Sequence, residues 1–442
     1  MKGLIFTYVL TAFGSIAALR KPIIGLFVYV GFAVLRPQFL WGFAGSFEGI
    51  SQLVGLATLV GWALHGCGSL KFGRGRSIVV ALLVYAVWAA LSAAQAVDTS
   101  IAYGELIGMA KWVMPFFIGA TLIDTNDRAR TLFWIIVIAQ AYVAFNMNWE
   151  YWWHGYNNAA DGFGGMDNNC YGVSLVTTLG PAFVLAVGTK KWWERGLAIV
   201  SAALILHTTL LTFSRGALVG LLAVGVATFL IVPKRPKHLA GLLVVALLAV
   251  RLTGPQLAAR YATTVADEEM RDTSAESRVD LWRDCWKVAL GKPVFGVGPG
   301  NFKVISASLG WTAGKQAHST WMQTMAENGF PGVIALLMFF VIAAVKLWPI
   351  ARSKITDENR NHVILASGII TSIVGFAVSG QFVSLAGLEI PYYVTMIGVS
   401  LLRQVTQTKA VAKTAAVRPP VGPRTPGWAP AGYPVARHRN WN

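Results

Sequence analysis

The sequence predicts an all-α membrane protein, a polytopic transmembrane helical bundle of 12 or 13 spans with one large loop domain outside the cytoplasm. Of its 442 residues, 55% are hydrophobic and only 13% are charged, with a mean hydropathy of +0.55. A soluble protein of this length carries about a quarter charged residues. The charges fall between apolar stretches of roughly 16 to 22 residues, which is long enough to cross a bilayer as helices. Because backbone polar groups in hydrocarbon need internal partners, helices are the expected form of each span.

The first region, residues 1–145, is predicted to contain N-terminal transmembrane helices. The turn Arg20-Lys21-Pro22 separates the first two apolar segments, which are either two spans or a tight hairpin. Lys71, Arg74 and Arg76 indicate a cytoplasmic loop, since basic residues are enriched there. The predicted apolar segments are Leu4–Leu19, Ile23–Leu35, Ile50–Leu64, Ile78–Ala94, Met109–Ile123 and Leu132–Phe145.

The second region, residues 146–253, is predicted to be a transmembrane core with two exterior features. One is the Asp167-Asn168-Asn169 loop, which follows an aromatic cluster, Trp149–Trp153, typical of a membrane-interface belt. The other is the Arg215 turn, in Phe213-Ser214-Arg215-Gly216-Ala217. The predicted spans are Gly172–Val187, Leu197–Thr212, Leu218–Val232 and Leu239–Leu252.

Residues 254–332 form the longest interval that is too polar to lie in lipid. A loop of this length usually carries function. Beyond it, residues 333–403 hold C-terminal transmembrane helices, predicted at Val333–Leu347, Ile364–Val378 and Tyr392–Leu402. The tail, residues 404–442, has prolines and basic residues but no acidic residue, which predicts a disordered cytoplasmic segment.

Composition also argues against several classes of protein. Cys67, Cys170 and Cys285 fit neither a disulfide framework nor a zinc site. The net charge of +17 resides mainly in short loops and the tail, so it indicates topology rather than nucleic-acid binding. No cleavable signal peptide is expected after Met1-Lys2, and no internal repeat is evident, which argues against a transporter built from inverted repeats.

The large loop contains four motifs: Ser277-Arg278-x-x-x-Trp282, Pro293-x-x-Gly296-x-Gly298-x-Gly300-x-Phe302, Ala317-His318-Ser319 and Glu327-x-Gly329-x-Pro331-Gly332. In these motifs the loop resembles the O-antigen ligase and polymerase superfamily of bacterial envelope glycosyltransferases, although Ser319 stands where many relatives have Asn. The arginine-bearing turn Thr212–Ala217 is similar to one in the same superfamily. Asp167-Asn168-Asn169 and Arg20–Gly25 resemble a subgroup of O-antigen ligase-like O-glycosylation ligases associated with exosortase systems.

The resemblance implies transfer of a glycan from an undecaprenyl-pyrophosphate carrier on the periplasmic side of the bacterial inner membrane. Ligases of this type transfer it to lipid A-core or a protein hydroxyl, and polymerases to a second lipid-linked glycan. It further implies inversion at the sugar, with no metal ion, cofactor or nucleotide sugar, and no nucleic-acid partner. The subgroup resemblance favours a ligase.

The same chemistry assigns roles to particular residues. Arg215 and Arg278 are expected to hold the pyrophosphate, because a guanidinium stays charged and makes paired hydrogen bonds to phosphate. The alternatives are a snorkelling Arg215 and an Arg278 paired with Glu276 or Asp280 on an amphipathic helix, Glu276–Leu290. His318 is expected to act as a general base, and the alternative is a helix cap. The other expected substrate-binding residues are Arg283, Trp282, Gly298, Asp167, Asn168 and Asn169.

For Gly298 and its neighbouring glycines a tight turn is as well supported as a phosphate-binding loop. For Asp167 a turn cap is an equal alternative. No Cys, Asp or His stands at metal-ligand spacing from His318, so no metal site is predicted.

Overall fold

The computed structural model of the protein describes residues 2–42, 49–232, 273–385 and 387–417, together with positions 247 and 251. This part of the chain is 80% helical, with fifteen helices and no strand. The prediction of an all-α polytopic protein is therefore confirmed. The predicted span Leu239–Leu252 lies outside the described residues apart from two positions, so the number of 12 or 13 spans stays a prediction.

Ten helices are described in the first half of the chain. They are α1 (Lys2–Arg20), α2 (Pro22–Leu35), α3 (Pro37–Leu40), α4 (Ile50–Leu64), α5 (Arg76–Ala93), α6 (Thr99–Leu122), α7 (Asn126–Trp149), α8 (Asn168–Gly188), α9 (Trp192–Leu211) and α10 (Arg215–Ile231). The helices of the second half are α11 (Thr273–Gly291), α12 (Phe302–Ile305), α13 (Thr320–Ala351), α14 (Arg360–Ser379) and α15 (Glu389–Val417).

Eight described helices are long and apolar enough to cross a membrane, namely α1, α5 to α9, α13 and α14. Three shorter apolar helices, α2, α4 and α10, accompany them. The first two apolar segments are separate helices, and Pro22 begins α2, a position where its missing N–H costs nothing. A Cβ on Gly25 would lie 2.5 Å from Ala18 Cβ, so small residues let α1 and α2 pack closely.

The middle of the bundle is formed by α8 and α14, the two most buried of the candidate spans. A Cβ on Gly180 would lie 2.4 Å from the hydroxyl of Thr371, and one on Gly220 would lie 1.8 Å from the hydroxyl of Ser379. Glycines at these crossings bring α8 and α10 against α14. This close packing aligns the starts of α8 and α10 with the end of α14.

The starts of α8, α10 and α13 lie at one end of the bundle, which we call the site face. Contacts between basic turns define the other end: Lys190 meets Asp357 at 2.6 Å, and Lys346 donates to the carbonyl of Arg74 at 2.9 Å. The arginines at that end are Arg20, Arg74, Arg128, Arg195, Arg352 and Arg360.

Helix α13 is folded back on itself at Gly329, which has a φ of +67°. The rings of Trp321 and Phe340 are 6.4 Å apart, whereas a straight helix would separate these residues by roughly 28 Å along its axis. A Cβ on Gly329 would meet the carbonyl oxygen of Val294 at 2.3 Å, so the bend requires glycine. Because of the bend, the start of α13 packs against the bundle, and His318, the residue before Ser319, lies next to it.

Two boundaries differ from the sequence prediction. Helix α6 begins at Thr99, ten residues before the predicted segment, because Asp98 caps it by accepting from the N–H of Ile101 at 3.1 Å. Glu105 therefore lies on a helix and pairs with Lys303 at 3.0 Å. Helix α15 continues to Val417, so the segment predicted as disordered from residue 404 is helical over 404–417, and 418–442 lie outside the described residues.

Candidate active site

The turn that carries Arg215 is held by the start of α8. Asn168 donates its side-chain amide to the carbonyl of Thr212 at 3.0 Å, and the Ser214 hydroxyl donates to Oδ1 of Asn169 at 2.9 Å. Ser214 also caps α10 by accepting from the N–H of Ala217. The two asparagines thus position the turn, and their predicted contact with substrate stays a prediction.

Arg215 is the first residue of α10 and its side chain is exposed. The N–H groups of a helix start attract anions, so an anion here would meet both those groups and a guanidinium. Asp167 caps the neighbouring α8 by accepting from the N–H of Cys170 at 2.7 Å. The predicted turn-cap role of Asp167 is therefore present, and its side chain is also exposed on the site face.

Helix α11 supplies Arg278 and covers the loop that leads to α13. Its buried face, with Leu281 and Cys285, packs on Phe302 and Ala317. Burial raises the pKa of the Cys285 thiol, so that group stays neutral. The indole N–H of Trp282 donates to the carbonyl oxygen of Ala317 at 3.1 Å. Trp282 therefore fixes the main chain at Ala317, the residue directly before His318.

Arg278 is half-buried and lies one turn before Trp282. Of the two predicted alternative partners, Asp280 pairs with Arg283 at 2.9 Å, in an exposed pair. The side chain of the other, Glu276, lies outside the described part of the chain. Arg283 lies about 140° around the helix from Arg278, so the structure does not bring these two guanidinium groups together.

His318 is half-buried and has a φ of +49°, a left-handed conformation that is costly for a residue other than glycine. The helix cap is the next residue: Ser319 Oγ accepts from the N–H of Met322 at 3.3 Å. The capping alternative for His318 is therefore wrong. A backbone strained in this way is often found where a side chain is aimed for function.

The imidazole of His318 lies among charges on the site face. Burial lowers its pKa below the ordinary value, Arg278 and Lys315 lower it further, and Asp167 acts in the opposite direction. The structure thus brings Arg278, Asp167 and His318 within electrostatic range of one another. A lowered pKa keeps the imidazole neutral at neutral pH, so that it can accept a proton. The sequence analysis did not single out Lys315. The only signal that could have identified it is its position in the loop, three residues before His318.

The helix start that carries Arg215 and the one that follows His318 both pack against the segment after α14. A Cβ on Gly216 would lie 2.8 Å from Cβ of Phe382, and Thr320 donates its hydroxyl to the carbonyl of Val383 at 2.8 Å. The start of α10 and the start of α13 therefore pack against two consecutive residues. This shared support brings the two helix starts, which carry Arg215 and follow His318, to one short segment.

The glycine run forms a tight turn, which is one of the two alternatives predicted for it; the other was a phosphate-binding loop. Gly298 has a φ of +102°, its N–H donates to the carbonyl oxygen of Glu327 at 2.8 Å, and a Cβ there would lie 2.2 Å from Ala96. This hydrogen bond leaves no amide of Gly298 for a phosphate. The N–H of Phe302 donates to the Glu327 carboxylate at 3.3 Å, so this loop already holds an internal carboxylate.

Among the described residues, no three His, Cys, Asp or Glu side chains form a group that would hold a metal ion.

The aromatic cluster Trp149–Trp153 lies at the end of α7, where Glu150–His154 forms a π-helical turn and Trp152 stacks on His207 with ring centroids 5.7 Å apart. Trp153 is 70% exposed, as the predicted interface belt requires.

Comparison with known families adds two findings. Residues 200–337 match the family model described as O-antigen ligase, a range that contains Arg215, Arg278 and His318. Residues 1–151 match a model for a family of unknown function. No curated protein matches the chain.

Proposed function

The chain belongs to the O-antigen ligase superfamily, and on that premise we propose that it transfers a glycan from undecaprenyl pyrophosphate to an acceptor hydroxyl. The match supports glycosyl transfer of the ligase or polymerase type by a multi-pass membrane protein. The donor, the acceptor and the periplasmic face of the inner membrane are part of the proposal. The acceptor is the hydroxyl of lipid A-core or of a protein.

The observation that carries this proposal is the setting of His318. Its strained backbone, its lowered pKa and its position between Arg278 and Asp167 all suit a neutral base beside a fixed cation. A snorkelling or capping residue would need none of these features. In the proposed reaction His318 removes the proton from the acceptor hydroxyl as the oxygen attacks the anomeric carbon.

The leaving group is the polyprenyl pyrophosphate, which takes the electron pair of the broken sugar–oxygen bond. Its negative charge grows as that bond breaks, and Arg278 and Arg215 supply fixed positive charge to it. The acceptor attacks from the side opposite to the leaving group, so the configuration of the sugar is inverted. These steps use side chains of this protein alone, and no metal ion takes part.

The orientation in the membrane follows from charge. Basic turns concentrate at the end opposite to the site face, which supports a cytoplasmic position for that end. The site face then meets the periplasm, where the large loop and the exposed Asp167 are accessible to an acceptor.

The decisive experiment uses purified protein, a defined polyprenyl-pyrophosphate glycan and separate acceptors, namely lipid A-core, a peptide and a second lipid-linked glycan. We expect transfer to one of the first two, unaffected by EDTA. His318→Ala should slow single-turnover transfer by roughly two to four decades while donor affinity stays within about twofold. Product made only with the second lipid-linked glycan would instead identify a polymerase, and His318→Ala with normal transfer would remove the base assignment.

A further inference from the structure

The main chain of Ala317, the residue before His318, is held by side chains at both its N–H and its carbonyl oxygen. The N–H of Ala317 donates to Oε1 of Gln323 at 3.3 Å, and its carbonyl oxygen accepts from the indole of Trp282 at 3.1 Å. Ala317 itself is fully buried. The main chain therefore enters His318 in one defined orientation.

This restraint has an energetic reason. A non-glycine residue in the left-handed region is strained and persists only where the surroundings enforce it. The Ser319 cap fixes the chain after His318, and the two hydrogen bonds of Ala317 fix it before. Loss of either restraint would let the imidazole rotate away from Arg278.

The amide of Gln323 is itself oriented by a buried acid. Gln323 donates Nε2 to Oε1 of Glu327 at 3.0 Å, and Glu327 is only 7% exposed. The same Oε1 of Glu327 also accepts from the N–H of Phe302, so this oxygen acts as an acceptor, draws the NH2 end of the amide and turns the oxygen of Gln323 toward Ala317. Among residues whose side chains are described, no lysine or arginine pairs with Glu327.

Glu327 also fixes the glycine turn. The N–H of Phe302 donates to its carboxylate and the N–H of Gly298 donates to its main-chain oxygen. One buried carboxylate thus connects the turn on which α11 packs with the helix that begins beside His318.

We propose that Gln323 and Glu327 are positioning residues that hold His318 in its reactive orientation through the main chain of Ala317. This inference rests on the proposed function, because His318 is the residue they serve. Neither side chain contacts the substrate in this scheme.

A double-mutant cycle with His318 tests the inference. We expect Gln323→Ala to slow single-turnover transfer by roughly tenfold or more, as the loss of a hydrogen bond to a constrained group implies, with donor affinity unchanged. In a His318→Ala background the same substitution should have almost no further effect, because its target is gone. Gln95→Ala, the same change at an exposed glutamine on the site face, is the control and should leave transfer intact.

Exchange of the two side chains provides a rescue. Gln323→Glu alone places two carboxylates together and should slow transfer. Gln323→Glu combined with Glu327→Gln restores the acceptor for the N–H of Ala317 and the hydrogen bond between the two side chains, and should recover part of the rate. A general folding role for the pair would not give this pattern, because loss of stability affects the His318→Ala background equally.

A measurement independent of activity separates this inference from the proposed function. With cysteine in place of His318, the rate of reaction with a small thiol reagent, above that of the parent protein, reports the position of residue 318. We expect Gln323→Ala to change that rate severalfold and the exchanged pair to restore it. An unchanged rate, or an equal loss of transfer with and without His318, would overturn the inference. Normal transfer by His318→Ala would instead remove the base assignment made in the proposed function, and the thiol measurement would still test how residue 318 is positioned.

Discussion

Replacement of Arg278 by glutamine probes the proposed contact with the pyrophosphate directly. Arg278 is half-buried, and Asp280, two residues after it on the helix, is paired with Arg283. The substitution should therefore change folding stability by about 0.5 kcal/mol or less. Loss of a charged hydrogen bond to the donor should cost roughly 1.5–3 kcal/mol of donor binding, which is about a ten- to hundredfold weaker affinity.

The assay is donor affinity and single-turnover transfer on the same folded preparation. Arg278→Lys should recover only part of the loss, because an ammonium keeps the charge and lacks the planar pair of donors. Lys287→Gln removes one positive charge from the same helix at a side chain that is 74% exposed and paired with Asp284. It should change donor affinity less than about fivefold, since exposed ion pairs contribute less than about 1 kcal/mol. Arg278→Gln with the affinity and the rate of the parent protein would refute the phosphate assignment.

Two further predictions concern pH and topology. Transfer needs neutral His318, so its rate should fall as the pH falls through the pKa of that residue. Arg278→Gln removes a neighbouring cation, which raises the pKa and moves this fall to higher pH. Asp167→Asn removes a neighbouring anion, which lowers the pKa and moves the fall to lower pH. Single-turnover rates measured across pH check both, and shifts in the same direction would contradict the electrostatic account. Cysteines placed at Ala307 or Asn158 should react with an impermeant reagent from outside, and one at Glu358 should not; the reverse pattern would turn the site toward the cytoplasm.

The all-α class was open to prediction because each span must satisfy its own backbone in lipid, which gives every span a local signature. Helix ends were less accessible to prediction. The start of α6 at Thr99 depends on the cap by Asp98, and this end of the helix carries Glu105, which pairs with Lys303 more than 190 positions away. The polar stretch at the start of α6 is therefore helical, and it packs against a loop that is distant in the sequence.

The candidate residues could be chosen from residue chemistry and motif, but their arrangement could not. Arg278, His318 and Asp167 are separated by 40 residues or more along the chain, and the fold brings their charges together. The glycine turn illustrates the limit. Gly296–Gly300 looks like a phosphate loop, but the N–H of Gly296 donates to the carbonyl of Lys292 and the N–H of Gly298 donates to that of Glu327.

By itself the sequence determined that the chain crosses a membrane as helices, where the basic turns lie and which arginines and histidine suit phosphate and proton chemistry. These properties depend on composition, periodicity and side-chain type within single segments. Only the tertiary structure decided that Gly329 folds α13 back to the bundle and that Ser319 rather than His318 caps it. It also decided that Gln323 and Trp282 hold the peptide before His318. The Trp282 hydrogen bond joins a helix to a loop residue 35 positions away, and it depends on packing that no local pattern encodes.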